Sequence, residues 1–387
     1  MLIVAVMSLS FASVILTPSI MAGVTRSLDE QQINAVSGNA VIQPPSDKYY
    51  LEGVNQIDTS ISGVAGVTAV SPRLESGAFI EYQWQDKILP TDRGKEGNWP
   101  VIGIDPAMDS NVTSISAQII QGNYLSAGDR DMILLGTDIA GTPGVSGNNL
   151  QGAQVGDKIR LTYANGIQKE YTVKGIFQTK EMSADRMAFV TRDEMVSVLG
   201  GTSYSDTATQ ILVKFNPSYS ESNLLSDLRS LDIGGTVQSW QEYGGSVGGI
   251  VNSFDMIASL ISGISLVVVA IVMFIVIYIN VVNHKKQIGI LRAIGINRRI
   301  IIYSYLFQSI FYAFMGMAVG GLLFQFGIKP YFDLHPINLP IGQVSLLVKP
   351  YTLYLAVFGI LLSAVFAGII PVFTIIRQTI IKSIWGS

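Results

Sequence analysis

The 387-residue sequence contains no cysteine and only two histidines. Without cysteine there is no disulfide and no thiolate metal site, and the redox compartment stays unspecified. His284 and His335 lie far apart in the chain, so no metal site and no histidine-based catalytic centre is expected, and His284 belongs with the basic residues that follow it. A P-loop is missing too. The nearest approach, Arg93-Gly94-Lys95, is followed by Glu96 rather than a hydroxyl residue and lacks the preceding glycine, which excludes ATP hydrolysis by that route on this chain. Charge is scarce, at 14% of residues. The three later apolar runs contain no Asp, Glu, Lys, Arg or His, which argues against a proton-coupled carrier or an intramembrane protease, whose ionisable groups must lie within the bilayer. No catalytic residue, cofactor or resident metal is expected.

What is present is apolar: 49% hydrophobic residues and a mean hydropathy of +0.41 mark a membrane protein. Residues 2 to 24 carry no charge and are long enough to span. A signal peptide would need a basic residue before the apolar stretch and small residues at the cleavage site. Here the first basic residue is Arg26 and Ile20-Met21-Ala22 is a poor cleavage site, so a retained first membrane helix is expected over 1–24. Further spans are expected at 256–282, 300–327 and 351–376. Small residues recur four apart in them, at Ser259 and Gly263, Gly316 and Gly320, Gly359 and Ser363, and Ala364 and Gly368, a spacing that lets helix backbones approach closely in lipid. Gly316 and Gly320 are the pair expected to make a packing contact. Residues 328–350, with Pro330, Pro336, Pro340 and Pro350, are expected to form an external loop too proline-rich for a continuous helix.

The net charge of −3 hides an asymmetry. Segment 283–299 carries +5 and the tail 377–387 carries +2, whereas 25–255 carries −11. Short basic loops on one side and a large acidic domain on the other predict both chain ends in the cytosol and the domain outside the cell membrane. An acidic domain would repel phosphates, so nucleic acid is not an expected partner.

Residues 25–255 read as an α+β domain. Lys158 to Tyr163 alternates with period two, Asn165-Gly166 suits a type I′ turn, and Lys169 to Phe177 alternates back, which predicts a hairpin burying Ile159, Leu161, Tyr163, Tyr171 and Val173 on one face. Other expected strands are Phe79 to Trp84, Val101 to Ile104, Met132 to Leu135, Met187 to Val190 and Ile211 to Phe215. A helix over Ser220 to Leu231, between Ile211 to Phe215 and Thr236 to Trp240, predicts a β-α-β unit. Gln85 to Pro100 reads as a surface loop. The pairs Asp29 with Glu30 and Asp129 with Asp131 read as solvated surface.

The segment 283–299 lies between two spans and holds Lys285, Lys286, Arg292, Arg298 and Arg299 with no acidic residue. Its interior predicts a short helix with an apolar face: Ile290 and Ile294 are four apart, Leu291 and Ile294 three apart. Gly295 suits a left-handed cap and Asn297 the start of the next helix. The run Lys286-Gln287-Ile288-Gly289-Ile290-Leu291-Arg292-Ala293-Ile294-Gly295 resembles the segment that marks permeases of the MacB-like and FtsX-like superfamily of ABC systems, the LolC/LolE type among them. The order of Val101 to Pro106, Leu134 to Gly136, Gln154 to Asp157, Thr172 to Phe177 and Gln210 to Lys214 resembles the extracytoplasmic domain of the same permeases, and Pro371 followed by Arg377, Lys382 and Trp385 resembles their usual end.

The resemblance covers nearly the whole chain. It implies a membrane protein with four transmembrane α-helices and a large α+β extracytoplasmic domain inserted between helices 1 and 2. The segment 286–295 would be a coupling helix docking on a separate ABC ATPase subunit, with a second permease copy completing a homodimer or heterodimer in the lipid bilayer. The implied work is export or extrusion of an amphipathic substrate, or transmembrane mechanical signalling. These permeases carry a cytoplasmic amphipathic segment ahead of the first helix, which is absent here, so the natural start is expected upstream. A membrane-anchored binding or adhesion module without a motor is the alternative; it needs one anchor helix and leaves three unexplained.

Overall fold

The computed structural model describes residues 2–86, 95–142, 148–181, 183–339 and 342–376. The tail 377–387, with Arg377, Lys382 and Trp385, lies outside the described residues. The chain divides into two compact units, Leu28–Gly249 and the segments on either side of it.

The flanking unit is helical. Leu2–Gln31, Gly245–Asn283, Arg298–Leu323 and Pro350–Ile376 are long helices, and among the described residues four stretches are long and apolar enough to cross a membrane. A bilayer admits such segments as helices because nothing in lipid can satisfy a free backbone N–H or C=O. The helices outrun the expected spans. The first continues to Gln31 and passes into a π-helical turn over Gln32–Ser37, and the second starts at Gly245 rather than 256. Composition marks where lipid ends, whereas a helix ends only where its backbone groups find other partners. The third runs on through a π-helical turn, Phe324–Ile328, into Lys329–Leu334, inside the segment expected to be loop. Pro330 falls in the first turn of that last piece, where a missing N–H leaves no bond unmade. Two short paired strands follow, Ile337–Leu339 and Gly342–Val344.

Small residues mark where these helices meet. A Cβ on Gly316 would collide with the Met7 side chain, and one on Gly320 would stand 2.5 Å from the Ser8 carbonyl of the first helix. Gly359 of the fourth helix faces Leu266 of the second, and Gly368 faces Ser309 of the third. Gly23 lies against the Ser345 carbonyl, and the Leu347 N–H donates to Ser19 O at 3.1 Å, which seats the chain after the short hairpin along the first helix. The second helix is the least covered, with Met256, Leu260, Ile264, Val267 and Ile271 exposed.

Among the described residues the main sheet of the large unit has ten strands, β1 Ala40–Gln43, β2 Val67–Tyr82, β3 Lys95–Ile104, β4 Met132–Gly136, β5 Lys158–Tyr163, β6 Gln168–Phe177, β7 Ala188–Thr191, β8 Gln210–Phe215 and β9 Thr236–Ser239, with the short Ile119–Gly122 at the edge beyond β6. Their order is β9-β1-β8-β2-β3-β7-β4-β6, and β5 pairs with both β2 and β6. That last pairing closes β2, β3, β7, β4, β6 and β5 into a barrel. Strand β2 therefore serves two lobes: residues 67–73 pair with β8, and residues 74–82 pair with β3.

The barrel interior follows the alternation of its strands. Ile159, Leu161 and Tyr163 from β5, Tyr171 and Val173 from β6, and Ile80, Val101 and Leu135 from their neighbours share one core. Tyr163 Oη donates to Tyr171 Oη at 2.8 Å, Tyr171 Oη donates to Glu194 Oε1 at 3.3 Å, and Lys169 closes the chain on the buried Glu194 carboxylate. Burial pushes both phenols well above the usual range, so both stay neutral donors.

The β5–β6 turn differs from the expected type I′. Only Gly166 has positive φ, +83°, with Gly166 N–H donating to Tyr163 O and Tyr163 N–H to Ile167 O. This is a type I turn followed by a left-handed glycine. Asn165 keeps ordinary φ and its side chain bonds Ile167 N and Val198 O instead. Lys95 to Pro100, expected in a loop, belongs to β3 and pairs with Gly77 to Tyr82. Long-range pairing with β2 outweighs a local composition that reads as loop.

In the other lobe, β8 and β9 flank β1, and the helix Glu221–Ser230 joins them, a β-α-β unit split by β1. Leu224 and Leu228 of that helix pack with Ile57 and Ile61 of the helix Val54–Ser62 over Ile42, Ile211 and Val213.

Where β2 passes from one lobe to the other, Arg73 is fully buried. Its Nε donates to Asp109 Oδ1 at 2.9 Å, with Nη2 2.8 Å from the same oxygen, and its guanidinium lies 5.5 Å from the Phe189 ring centre. Ser71 and Thr113 donate their hydroxyls to the same carboxylate at 2.9 and 2.8 Å. Asp109 is held in the helix Pro106–Val112, which Asp105 caps through Ala107 N and Met108 N.

Removing one partner strands a buried charge. Asp109→Ala is expected to destabilise the large domain by about 3–5 kcal/mol, whereas replacing both partners by Arg73→Met with Asp109→Leu recovers most of that. Thermal unfolding of the purified full-length protein reads the difference. In the helical unit, Gly320→Val is expected to cost about 1–3 kcal/mol through overpacking against the first helix. Gly321→Ala, whose Cβ would meet Phe11 at an ordinary 3.6 Å, should leave the melting temperature in detergent unchanged.

Candidate functional site

The most distinctive surface of the helical unit is the link between its second and third long helices. The second ends at Asn283, and the His284 N–H still donates to Asn280 O at 3.2 Å. A separate helix, Lys285–Ala293, begins with His284 at its N-terminal boundary, where Ile288 N–H donates to His284 O at 3.0 Å. Its end is a Schellman motif. Gly295 takes φ +100°, Gly295 N–H donates to Arg292 O and Ile296 N–H to Leu291 O, both at 3.1 Å. Two residues later the Asn297 side chain accepts from Arg299 N at 3.1 Å and caps the third long helix. Cap and stop are thus separated by one residue, Ile296, and the link turns tightly.

The helix has two apolar sides. Ile288 and Gly289 are buried, Ile288 within the core of the helical unit. Ile290, Leu291 and Ile294 face away from it, 44%, 39% and 75% exposed. Among the described residues, these three aliphatic side chains in adjacent turns stand out from the helix as an apolar knob. Lys286, Gln287, Ala293 and Gly295 are exposed beside it, Lys285 and Arg292 are half-buried, and Arg298 and Arg299 are exposed at the start of the next helix. Such a knob fits an apolar groove with acidic edges. Its three aliphatic side chains offer contact area and no reactive group. Ile288 and Gly289, expected with their neighbours in the docking run 286–295, are turned into the bundle instead, because a helical spacing does not say which side the bundle covers.

Other sequence-predicted features fall elsewhere. Gly316 and Gly320 lie against the first helix, away from the link in sequence. His284 Nδ1 lies 2.8 Å from Asn280 O, and His335 stacks on Tyr331 at 4.9 Å between ring centres. Asp129 and Asp131 are more than solvated surface: Asp129 pairs with Lys174, and Asp131 pairs with Lys169 at 2.8 Å. Asp131 adopts φ +53°, which carries the chain from its loop into β4.

Among known proteins, residues 1–231 match the family model of the MacB-like periplasmic core domain, and residues 259–380 match that of the FtsX-like permease C-terminal region. Among curated proteins, none matches the chain by sequence. Of solved structures, the chain is similar to the periplasmic region of MacB from Actinobacillus actinomycetemcomitans, with 11% identity and a TM-score of 0.38 over 56% of this chain and 95% of that one. It is also similar to the extracellular domain of the noncanonic ABC-type transporter YknZ from Gram-positive bacteria, with 10% identity and a TM-score of 0.33 over 52% of this chain and 100% of that one. The two family models together run from the first membrane helix through the fourth, and the chain belongs to the MacB-like and FtsX-like family of ABC transporter permeases.

Proposed function

We propose that the helix Lys285–Ala293 is the site where a separate ATPase subunit docks and drives this permease. The observation that carries the reading is the exposed aliphatic triplet Ile290, Leu291 and Ile294 on a helix whose opposite side is anchored by Ile288. The five basic residues of the segment put it in the cytosol by the positive-inside rule, and both chain ends with it. Two permease copies, identical or related, carry two such helices into the ATPase pair. Closure of that pair on ATP draws the helices together. The second long helix runs unbroken from Gly245 to Asn283, so a push at its inner end is delivered along its length to the chain entering the large domain.

The work done is export or extrusion of an amphipathic substrate, or switching of an external partner. The large domain is the element that moves in either case. The chain itself supplies docking, leverage and a path, while the ATPase activity resides on the other subunit.

Leu291→Asp with Ile294→Asp places two carboxylates on the docking face and is expected to abolish recovery of an ATPase when the tagged protein is purified from native membranes. Ile294→Ala alone is expected to weaken the association by about tenfold. Mass spectrometry of the co-purified proteins reads both. Undiminished ATPase recovery with the aspartate pair would remove the docking assignment.

A further inference from the structure

A half-open cavity of about 430 Å³ lies in the helical unit, between the first, second and fourth long helices. That volume is within the range of small-molecule sites, about 300–1,000 Å³. It occupies the part of the second helix nearest its start and the beginning of the fourth, where the chain passes to and from the extracytoplasmic side. Val14 and Pro18 form its wall on the first helix, Gly263 and Leu266 on the second, and Leu355 on the fourth.

Three features define the ligand chemistry. Two hydroxyls in the wall are already spent, Ser259 Oγ donating to Met256 O at 2.7 Å and Ser262 Oγ to Ala258 O at 2.6 Å, both within their own helix, while Tyr351 and Thr352 stand near Lys349 at the mouth. A chamber with so few available donors suits an alkyl chain rather than a polar solute or ordered water. Gly263 leaves room: a Cβ there would meet nothing within 4 Å. Charge is confined to one end, where Lys349 Nζ and Asp255 Oδ1 stand 3.8 Å apart, each about half exposed. That separation is too long for a direct hydrogen bond, so both groups retain capacity for another partner.

A carbon-lined chamber with one cation and one carboxylate at its mouth is complementary to an alkyl chain whose head carries both a phosphate and an ammonium. We propose that this cavity holds one acyl chain of an outer-leaflet phospholipid with an aminoethyl phosphate head, the phosphate on Lys349 and the ammonium on Asp255. The site lies within one copy of the chain. It rests on the membrane placement of the helices and not on ATPase docking, so it stands or falls separately from the function proposed above.

The test uses the full-length protein in phosphatidylglycerol vesicles. These carry a trace of either phosphatidylethanolamine or phosphatidylglycerol, each with the same photoreactive group at its acyl end. Irradiation is followed by residue-level mapping of the adducts. Adducts on Val14, Pro18, Gly263, Leu266 and Leu355 are expected to form with the ethanolamine probe about fivefold more than with the glycerol probe, the scale of a half-exposed charge pair. Asp255→Lys takes away the ammonium's partner and should bring that ratio to one or below. Lys349→Glu repels the phosphate common to both probes and should lower labelling by both while raising the ratio, since the ethanolamine head keeps its ammonium on Asp255. Gly263→Phe fills the chamber and should remove these adducts while those on the exposed Val267 and Ile271 persist. Should Gly263→Phe fail to accumulate, the two charge variants decide. Equal labelling of the chamber by both probes, or a ratio unmoved by either charge variant, would overturn the proposal.

Discussion

The guanidinium of Arg73 sits where strand β2 leaves one lobe of the large domain and joins the other, sealed from water. A charge there is tolerable only because Asp109 faces it, with two hydroxyls and an aromatic face completing its surroundings. Asp109 in turn is held by a helix whose first turn is capped by Asp105. Among the described residues, β2 is the long strand that the six-strand barrel and the split β-α-β lobe share, so the contact that fixes β2 fixes how the two lobes meet. Hydrophobic burial supplies most of the stability on both sides. A buried ion pair adds little to that sum, and what it contributes is a single way for the parts to fit.

The helical unit obeys a different solvent. In lipid there is no gain from hiding one leucine behind another, so association depends on close backbone approach. The glycines carry that load: Gly316 and Gly320 toward the first helix, Gly359 toward the second, Gly368 toward the third. Where the packing relaxes, between the first, second and fourth helices, a cavity remains. Pro18 contributes to it. Lacking an N–H, it leaves the Val14 carbonyl without its helical donor, and both residues line the chamber.

Between the second and third long helices the chain spends fourteen residues on a link that two or three could make. The added length forms a helix with its own cap, its own Schellman stop and an aliphatic face turned away from the bundle. A surface that remains apolar at a helix otherwise ringed by lysine and arginine is the mark of an interface, because such a patch is costly to leave in water. In the proposed function, leverage and docking lie on consecutive residues of one chain.

Membrane placement, the four spans and the short capped helix were legible in the sequence. Each depends on local chemistry: uncharged runs, five basic and no acidic residues over 283–299, Gly295 for a positive φ, Asn297 for a cap. So was the hairpin at 158–177, whose period-two pattern reports burial directly. The barrel was not, because its closure is the pairing of β5 with β2, residues some eighty positions apart. Lys95 to Pro100 looked like loop and is strand for the same reason. Arg73 and Asp109 read in sequence as two ordinary charges; only the tertiary structure removes their water and makes them partners. The inward face of the short helix and the chamber near Lys349 were equally out of reach, since a helical period shows that two faces differ but not what covers each. Local backbone preference and polarity are written residue by residue, whereas closure, burial and cavity depend on which distant surfaces come to share a boundary.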